Sequence, residues 1–299
     1  MNGLPHIYTS NPDSTARRWA EMERYLALNV LEPAEKRFIC KFADQCKSSH
    51  PGQFYEGQLH HLGWHYDLAV DGRPLRIVAV GQECGHNPIH VTMEQRRNKI
   101  LVGSGLHRRF YAEGRYRNRN PHMRGTTSVL RLLLGLGLGS DFGDETPLVN
   151  GKHPHIFDAF ALVNFLLCSA VKADAPEPTE ADDEDRSAGE GMSTPEMQHN
   201  CSGHFRRCLE ILQPTVIVVQ GRGVRNWLSP ALHLPATPGT TENPAIERLR
   251  IGGSEALLVA FSHPSAHGAF NWGTNDHTAY LMDTVKPKIE EIRSMLGLA

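Results

Sequence analysis

Four short apolar runs constrain this chain more than any other feature: IVAV at 77–80, FALVNFL at 160–166, VIVV at 216–219 and ALLVAF at 256–261. Each is too short for a membrane span and has the unbroken apolarity of a strand covered on both faces, as in a parallel sheet. The stretches between them carry apolar residues at helical spacing. Alternation of this kind indicates an α/β fold, a three-layer α/β/α sandwich around a central, largely parallel four-stranded sheet. At 299 residues one domain over 1–299 suffices.

The spacing predicts a helical segment over 14–47, with Pro33 near the first turn of its second helix, and a helix through TSVLRLLLGLGLG that ends in glycines. It predicts another from TPEMQHNCSGHFRRCLEILQ up to Pro214, one starting at RGVRNWL, and a last one over 276–296. The apolar content of 40% is enough for a core, and the polar, proline-containing start MNGLPHIYTSNPD does not resemble a signal peptide, so the expected setting is cytoplasmic. In a reducing setting the six cysteines are expected to be thiols or metal ligands rather than disulfides.

A net charge of −2 gives no global sign of a nucleic-acid partner, but its distribution does. From Arg96 to Arg131 there are ten Lys or Arg residues and one acid, Glu113, with aromatics interleaved. Within it an Arg-rich insertion over 87–120 carries Arg115, Arg117 and Arg119, read as a phosphate-binding surface, with a solvated face as the alternative. From Asp174 to Glu190 there are eight acids and one Arg, and 173–198 reads as a disordered acidic loop. The histidines of QLHHLGWHYD read as surface or pocket-rim residues.

All four apolar runs finish in polar or small residues: Gln82 and Glu83 after Gly81, Asn164, Gln220 with Gly221, and His263. Singly, each is compatible with a turn residue or a cap. Together, an acid, an amide and an imidazole beyond the carboxyl ends of parallel strands occupy the place where open α/β sheets bind ligands.

These residues carry a resemblance. GQECGH at 81–86, LVNFLLC at 162–168 and SHPSAHG at 262–268 resemble the motifs of the uracil-DNA glycosylase superfamily. STPEMQHNCSGHFRRCLEILQPTVIVVQG is similar to its iron–sulfur branch, and the match runs from Cys40 to Gly268. The resemblance implies a DNA partner and an enzyme that flips out a pyrimidine and hydrolyses its N-glycosidic bond, leaving an abasic site. On it, Glu83 aims or deprotonates water and His263 stabilises the departing base, while Gln82, Gly85, Asn164 and His122 bind the base. Arg115, Arg117, Arg119, Ser265 and His267 contact DNA. Glu83 departs from the iron–sulfur branch, whose own Glu falls one position earlier, at Gln82.

Strict uracil enzymes carry a Tyr at the position of Gly85 and a stacking Phe where His122 and Met123 stand here. The extra room implies a C5-modified base, with hypermodified phage DNA as the precedent, while plain uracil stays open. Cys40, Cys46, Cys168 and Cys201 match the order of the branch's cluster ligands and imply a [4Fe–4S] cluster, with zinc or buried free thiols as alternatives. Cys40 and Cys46 are spaced C-x5-C rather than the branch's C-x2-C, and Cys84 and Cys208 read as packing residues. A non-catalytic module that holds uracil, abasic or single-stranded DNA is the alternative to an enzyme.

Overall fold

The computed structural model describes residues 6–35, 37–57, 59–83, 90–98, 100–101, 121–138, 147, 149–171, 192–235 and 238–298. Its main sheet contains β1 (His61–Leu62), β2 (Ile77–Gly81), β3 (Phe160–Asn164), β4 (Val216–Gln220), β5 (Ile246–Ile251) and β6 (Ser254–Phe261), in the order β5-β6-β4-β2-β3-β1. β6, β4, β2 and β3 are parallel, and β5 and β1 close the two edges antiparallel. The sheet is therefore mostly parallel but six-stranded, not four-stranded. The four apolar runs form its middle. The edges were illegible because β5 alternates Glu247, Arg248 and Arg250 with apolar residues, and β1 is only two residues long. Gly252 and Gly253, at φ +56° and +85°, make the tight turn that joins β5 to β6.

The helices of interest are α1 (Pro12–Asn29), α2 (Ala43–Ser48), α3 (Pro121–Leu133), α4 (Pro195–Leu212), α5 (Arg222–Leu232) and α6 (Lys286–Met295). Strand residues alternate between two buried clusters, as the period of two requires. Val78, Val80, Val163, Ile217, Val219 and Leu258 pack with Met22 and Leu26 of α1, Phe205 and Leu209 of α4 and Leu228 of α5. Ile77, Ala79, Phe160, Leu162, Val218 and Val259 pack with Val129 and Leu133 of α3 and Ile289 and Ile292 of α6. Both faces of the sheet are thus covered, which explains why its middle strands lack any polar alternation.

Several expected elements differ. The segment 14–47 is not helical throughout. α1 is capped by Asn11, whose side chain accepts from Ser14 N at 3.0 Å, and it ends at Asn29. Beyond it the Glu32 carboxylate accepts from the amides of Ala34 (3.0 Å) and Glu35 (2.7 Å). That turn joins the short strands Leu31–Glu32 and Arg37–Phe38, a local bond set that displaces the helix expected at Pro33. α4 starts at Pro195 under a Thr194 cap, so the acidic loop cannot extend to 198; residues 172–191 lie outside the described ones. The last helical run, 279–295, falls close to its expected bounds but takes a π-helical turn at Leu281–Val285 before α6.

Arg96 and Arg97 leave the basic surface as well. Both are buried, and the Arg97 guanidinium lies between the rings of Trp19 (3.4 Å) and Trp64 (3.6 Å) while its Nε donates to Leu62 O at 2.7 Å. Arg131 donates to the carbonyls of Leu136 and Gly137 beyond the end of α3. Arg115, Arg117 and Arg119 lie outside the described residues. His60 and His61 are buried rather than at a rim, and burial lowers the pKa of each to about 3. Among the described residues no helix is long and apolar enough to cross a membrane.

The edge strand β5 is tied to α5 by a buried ion pair between Arg225 and Glu247. Removing one partner strands the other charge, so Glu247→Ala should lose about 3–5 kcal/mol in chemical denaturation. The double change Arg225→Met/Glu247→Leu should recover most of that loss.

Candidate functional site

The parallel register decides which side chains share the sheet's carboxyl edge. Asn164 pairs with Gly81 and Gln220 with Phe261, and the pairing of Val219 with Val80 places Gln220 beside Gly81 on its other side. Asn164, Gly81, Gln220 and Phe261 therefore form one row, in phase with the strand residues that pack beneath α3 and α6. A side chain at Gly81 would crowd this row: a Cβ there would stand 3.0 Å from Asn164 Oδ1 and 3.6 Å from His122 Nε2.

α3 brings His122 over this row. Its first turn is seated on the loop after β6 by close packing: a Cβ on Gly125 would stand 2.8 Å from Pro264 Cβ, and one on Gly273 would stand 2.0 Å from Pro121 O. Trp272, fully buried, donates from Nε1 to Ser262 O at 2.7 Å and fixes the same loop. The result is a stacked pair of imidazoles, His122 on His263, with ring centroids 5.6 Å apart and planes at 25°.

The hydrogen bonds of His263 define its tautomer. Ser265 N, which can only donate, lies 3.2 Å from His263 Nδ1, and Ser265 Oγ lies 2.7 Å from the same atom. Nδ1 is thus an acceptor, and in the neutral ring the proton sits on Nε2. Desolvation lowers the pKa of His263 and keeps it neutral. For His122 burial is the first cause and His263 and Arg96 add to it, bringing the value to about 3. Ser265, expected at DNA, also holds the His263 ring through these two contacts. His267 is exposed on the adjoining turn. Asn164 is buried, and its amide has no hydrogen-bond partner among the described residues.

Glu83 sits at the same edge but is held from the opposite side. Its Oε1 accepts from Gln82 Nε2 at 3.0 Å and its Oε2 from Ala170 N at 3.2 Å. Gln82 also reaches Ser193 Oγ, at 3.4 Å. Burial raises the Glu83 pKa to about 7, against the lowering effect of these two hydrogen bonds. No bond joins Glu83 to either stacked histidine among the described residues. Cys84 and Gly85 lie outside the described residues.

The four cysteines expected as ligands do come together, on the face of the sheet covered by α1, α4 and α5. Cys40, Cys46, Cys168 and Cys201 line one cavity with Phe38, Phe42, Leu167, Met197 and His204. Burial raises the pKa of each thiol, that of Cys201 to about 12. Asn200 Nδ2 donates to Cys46 Sγ at 3.5 Å, and His204 Nε2 lies 3.8 Å from Cys40 Sγ. Four cysteines around one cavity are the donor set of an iron–sulfur cluster, in which each cysteine binds a different iron. Among the described residues no group of three or more His, Cys, Asp or Glu side chains is disposed to hold a single metal ion. Cys208 is fully buried in the same core and lines no part of the cavity.

Sequence reasoning gave Gln220 no role beyond that of a polar strand end, and read Ser265 as a DNA contact rather than as a partner of His263. Gln220 shows only as a polar residue closing an apolar strand, and the tie from Ser265 to His263 is visible only as a two-residue spacing. The chain matches no family model and no curated protein with significant similarity.

The raised pKa of Glu83 has a consequence for stability. The folded chain holds this proton more tightly than the unfolded one, so Glu83 lowers stability as pH rises from about 4.5 through about 7. Glu83→Gln keeps an acceptor for Ala170 N and removes the charge. It should melt like the parent at pH 5 and above it at pH 8; an unchanged difference across that range would show that Glu83 is not desolvated.

Proposed function

We propose that this chain is a DNA glycosylase of the uracil-DNA glycosylase type, with that group's three-layer α/β/α sandwich, acting in the cytoplasm on a flipped pyrimidine. The reading is carried by one observation. Three polar side chains meet at the carboxyl edge of the parallel strands: an Asn164 amide without a hydrogen-bond partner among the described residues, His122, and a His263 whose Ser265 bonds leave the proton on Nε2. An amide reads the edge of a base with both a donor and an acceptor. A neutral Nε2–H donor stabilises negative charge as it develops on the departing base.

Glu83, ionised above about pH 7, is the group at this edge able to activate water and offset positive charge on the sugar. Gln82 holds its carboxylate. A glycine rather than a tyrosine at position 85 of the sequence favours a C5-modified base as substrate, hypermodified phage bases included, with uracil as the simpler case. Arg115, Arg117, Arg119 and His267 contact the DNA backbone. The donor set of Cys40, Cys46, Cys168 and Cys201 fits a [4Fe–4S] cluster. Such a group supplies one-electron chemistry, and its thiolates would tie together the α2 region, the segment after β3 and α4. The attachment of Glu83 to Ala170 N supports a second reading, a module that binds an abasic or base-flipped site without turnover.

The test is incubation with oligonucleotides carrying uracil or C5-modified pyrimidines, followed by alkaline cleavage at abasic sites. Excision should rise with pH to a plateau above about 7, because Glu83 must lose its proton while His263 stays neutral. Glu83→Gln should lower the rate by about two to four orders of magnitude and His263→Ala by about two to three, with binding retained. Specific binding without any abasic product would establish the second reading.

For the cysteines, protein purified without oxygen should be brown and carry about four irons per chain, and Cys168→Ser or Cys201→Ser should bleach it. A colourless, iron-free protein prepared in this way would remove the cluster from the reading.

A further inference from the structure

Gln220 is the polar group at the strand edge to which the mechanism above gives no work. It is 1% exposed and stands at the end of β4, beside Gly81 and in the same row as Asn164. Its Nε2 donates to Thr126 Oγ1 at 2.8 Å, and Thr126 Oγ1 in turn donates to His122 O at 2.9 Å. This chain of bonds fixes the amide's orientation. The Thr126 hydroxyl proton is spent on the His122 carbonyl, so the Gln220 atom facing Thr126 must be the donor nitrogen. Oε1 is then the other atom, and it is buried with no hydrogen-bond partner.

A buried carbonyl oxygen without a donor is costly, whereas an apolar residue of the same shape would cost nothing at this position. Orphaned polar atoms of this kind call for a specific explanation, and this one lies in the site. Two amides, those of Asn164 and Gln220, flank Gly81, which has no side chain, at one strand spacing on either side, about 4.8 Å each. Thr126 and His122 belong to one face of α3, one turn apart, so the helix that carries His122 to the row also sets the Gln220 amide.

We propose that Gln220 is a specificity-determining residue: its Oε1 accepts a hydrogen bond from an N–H or O–H donor of the ligand whose edge Asn164 reads. The inference rests on the base-binding reading of this edge and narrows it. With Asn164 taking any N3–H the ring itself carries, the site favours a pyrimidine with a donor-bearing substituent, an exocyclic amine or a hydroxyl, over an isostere without one, because the substituent then satisfies the oxygen.

The experiment measures binding of the full chain to oligonucleotides with a single thymine, 5-hydroxymethyluracil, uracil or cytosine, in single and double strands, for the parent and Gln220→Leu. The parent should prefer the donor-bearing member of at least one pair, thymine against 5-hydroxymethyluracil or uracil against cytosine, by about tenfold, the scale of one hydrogen bond. Gln220→Leu should bind both members of that pair equally and melt no lower than the parent. Gln220→Met, unbranched like Gln, serves the same purpose should the leucine variant not fold. No preference in the parent, or a preference unchanged in the variant together with a lower melting temperature, would overturn the proposal and leave Gln220 a structural residue. If no oligonucleotide is bound at its modified base, the glycosylase reading fails. Calorimetry with free thymine and 5-hydroxymethyluracil then decides on Gln220 alone, and absence of a difference between the two bases counts against it.

Discussion

The in-register parallel pairing of β6, β4, β2 and β3 is the constraint on which the rest of the molecule depends. Parallel strands end together, so the residues closing them are brought to one level without any dedicated contact. Here they are Asn164, Gly81, Gln220 and Phe261, and Gly81 alone has no side chain. A one-residue slip in any pair would turn these groups to the opposite face. The apolar packing of both faces forbids the slip, because it would bury and expose the wrong set at every position along the strand.

The two faces then serve different chemistry. Under α3 and α6, the row of amides meets two stacked imidazoles, and desolvation lowers the pKa of His122 and, less completely, of His263, whose side chain is exposed. Under α1, α4 and α5, four thiols surround one cavity, and Asn200 donates to the sulfur of Cys46. Glu83 belongs to the same edge as the first but is bonded on the side of the second, through Ala170 and Gln82. Its carboxylate is shared between desolvation, which favours the proton, and two hydrogen bonds, which oppose it, and the balance brings it to the pH range where acid–base catalysis operates.

Much of this could be read in advance. An unbroken run of Val, Ile and Leu between helical stretches can be little other than a buried parallel strand, and β2, β3, β4 and β6 follow from it. The cap at Thr194 with Pro195, and the stop at Gln213 before Pro214, delimit α4 by local chemistry alone. The cysteines were legible as a set by their order, since Cys40, Cys46, Cys168 and Cys201 do line one cavity. Less was legible where one bond outweighs a pattern. The Glu32 carboxylate, on two backbone amides, makes a turn out of a segment with helical spacing.

The sequence by itself determined the middle of the sheet, the polar character of its carboxyl edge and the grouping of the cysteines, because burial on both faces and local capping leave a direct imprint on residue type. Tertiary structure alone decided the edge strands, the burial of His60, His61, Arg96 and Arg97, the tautomer of His263 and the orientation of the Gln220 amide. Except for the His263 tautomer, which Ser265 sets from two residues away, those outcomes depend on partners far away in the chain, such as Trp19 and Trp64 for Arg97 or Thr126 for Gln220. A charged or amide side chain carries no mark in the sequence of whether it will meet water, an aromatic face or a single hydroxyl. Only the packing of segments remote in sequence supplies that answer.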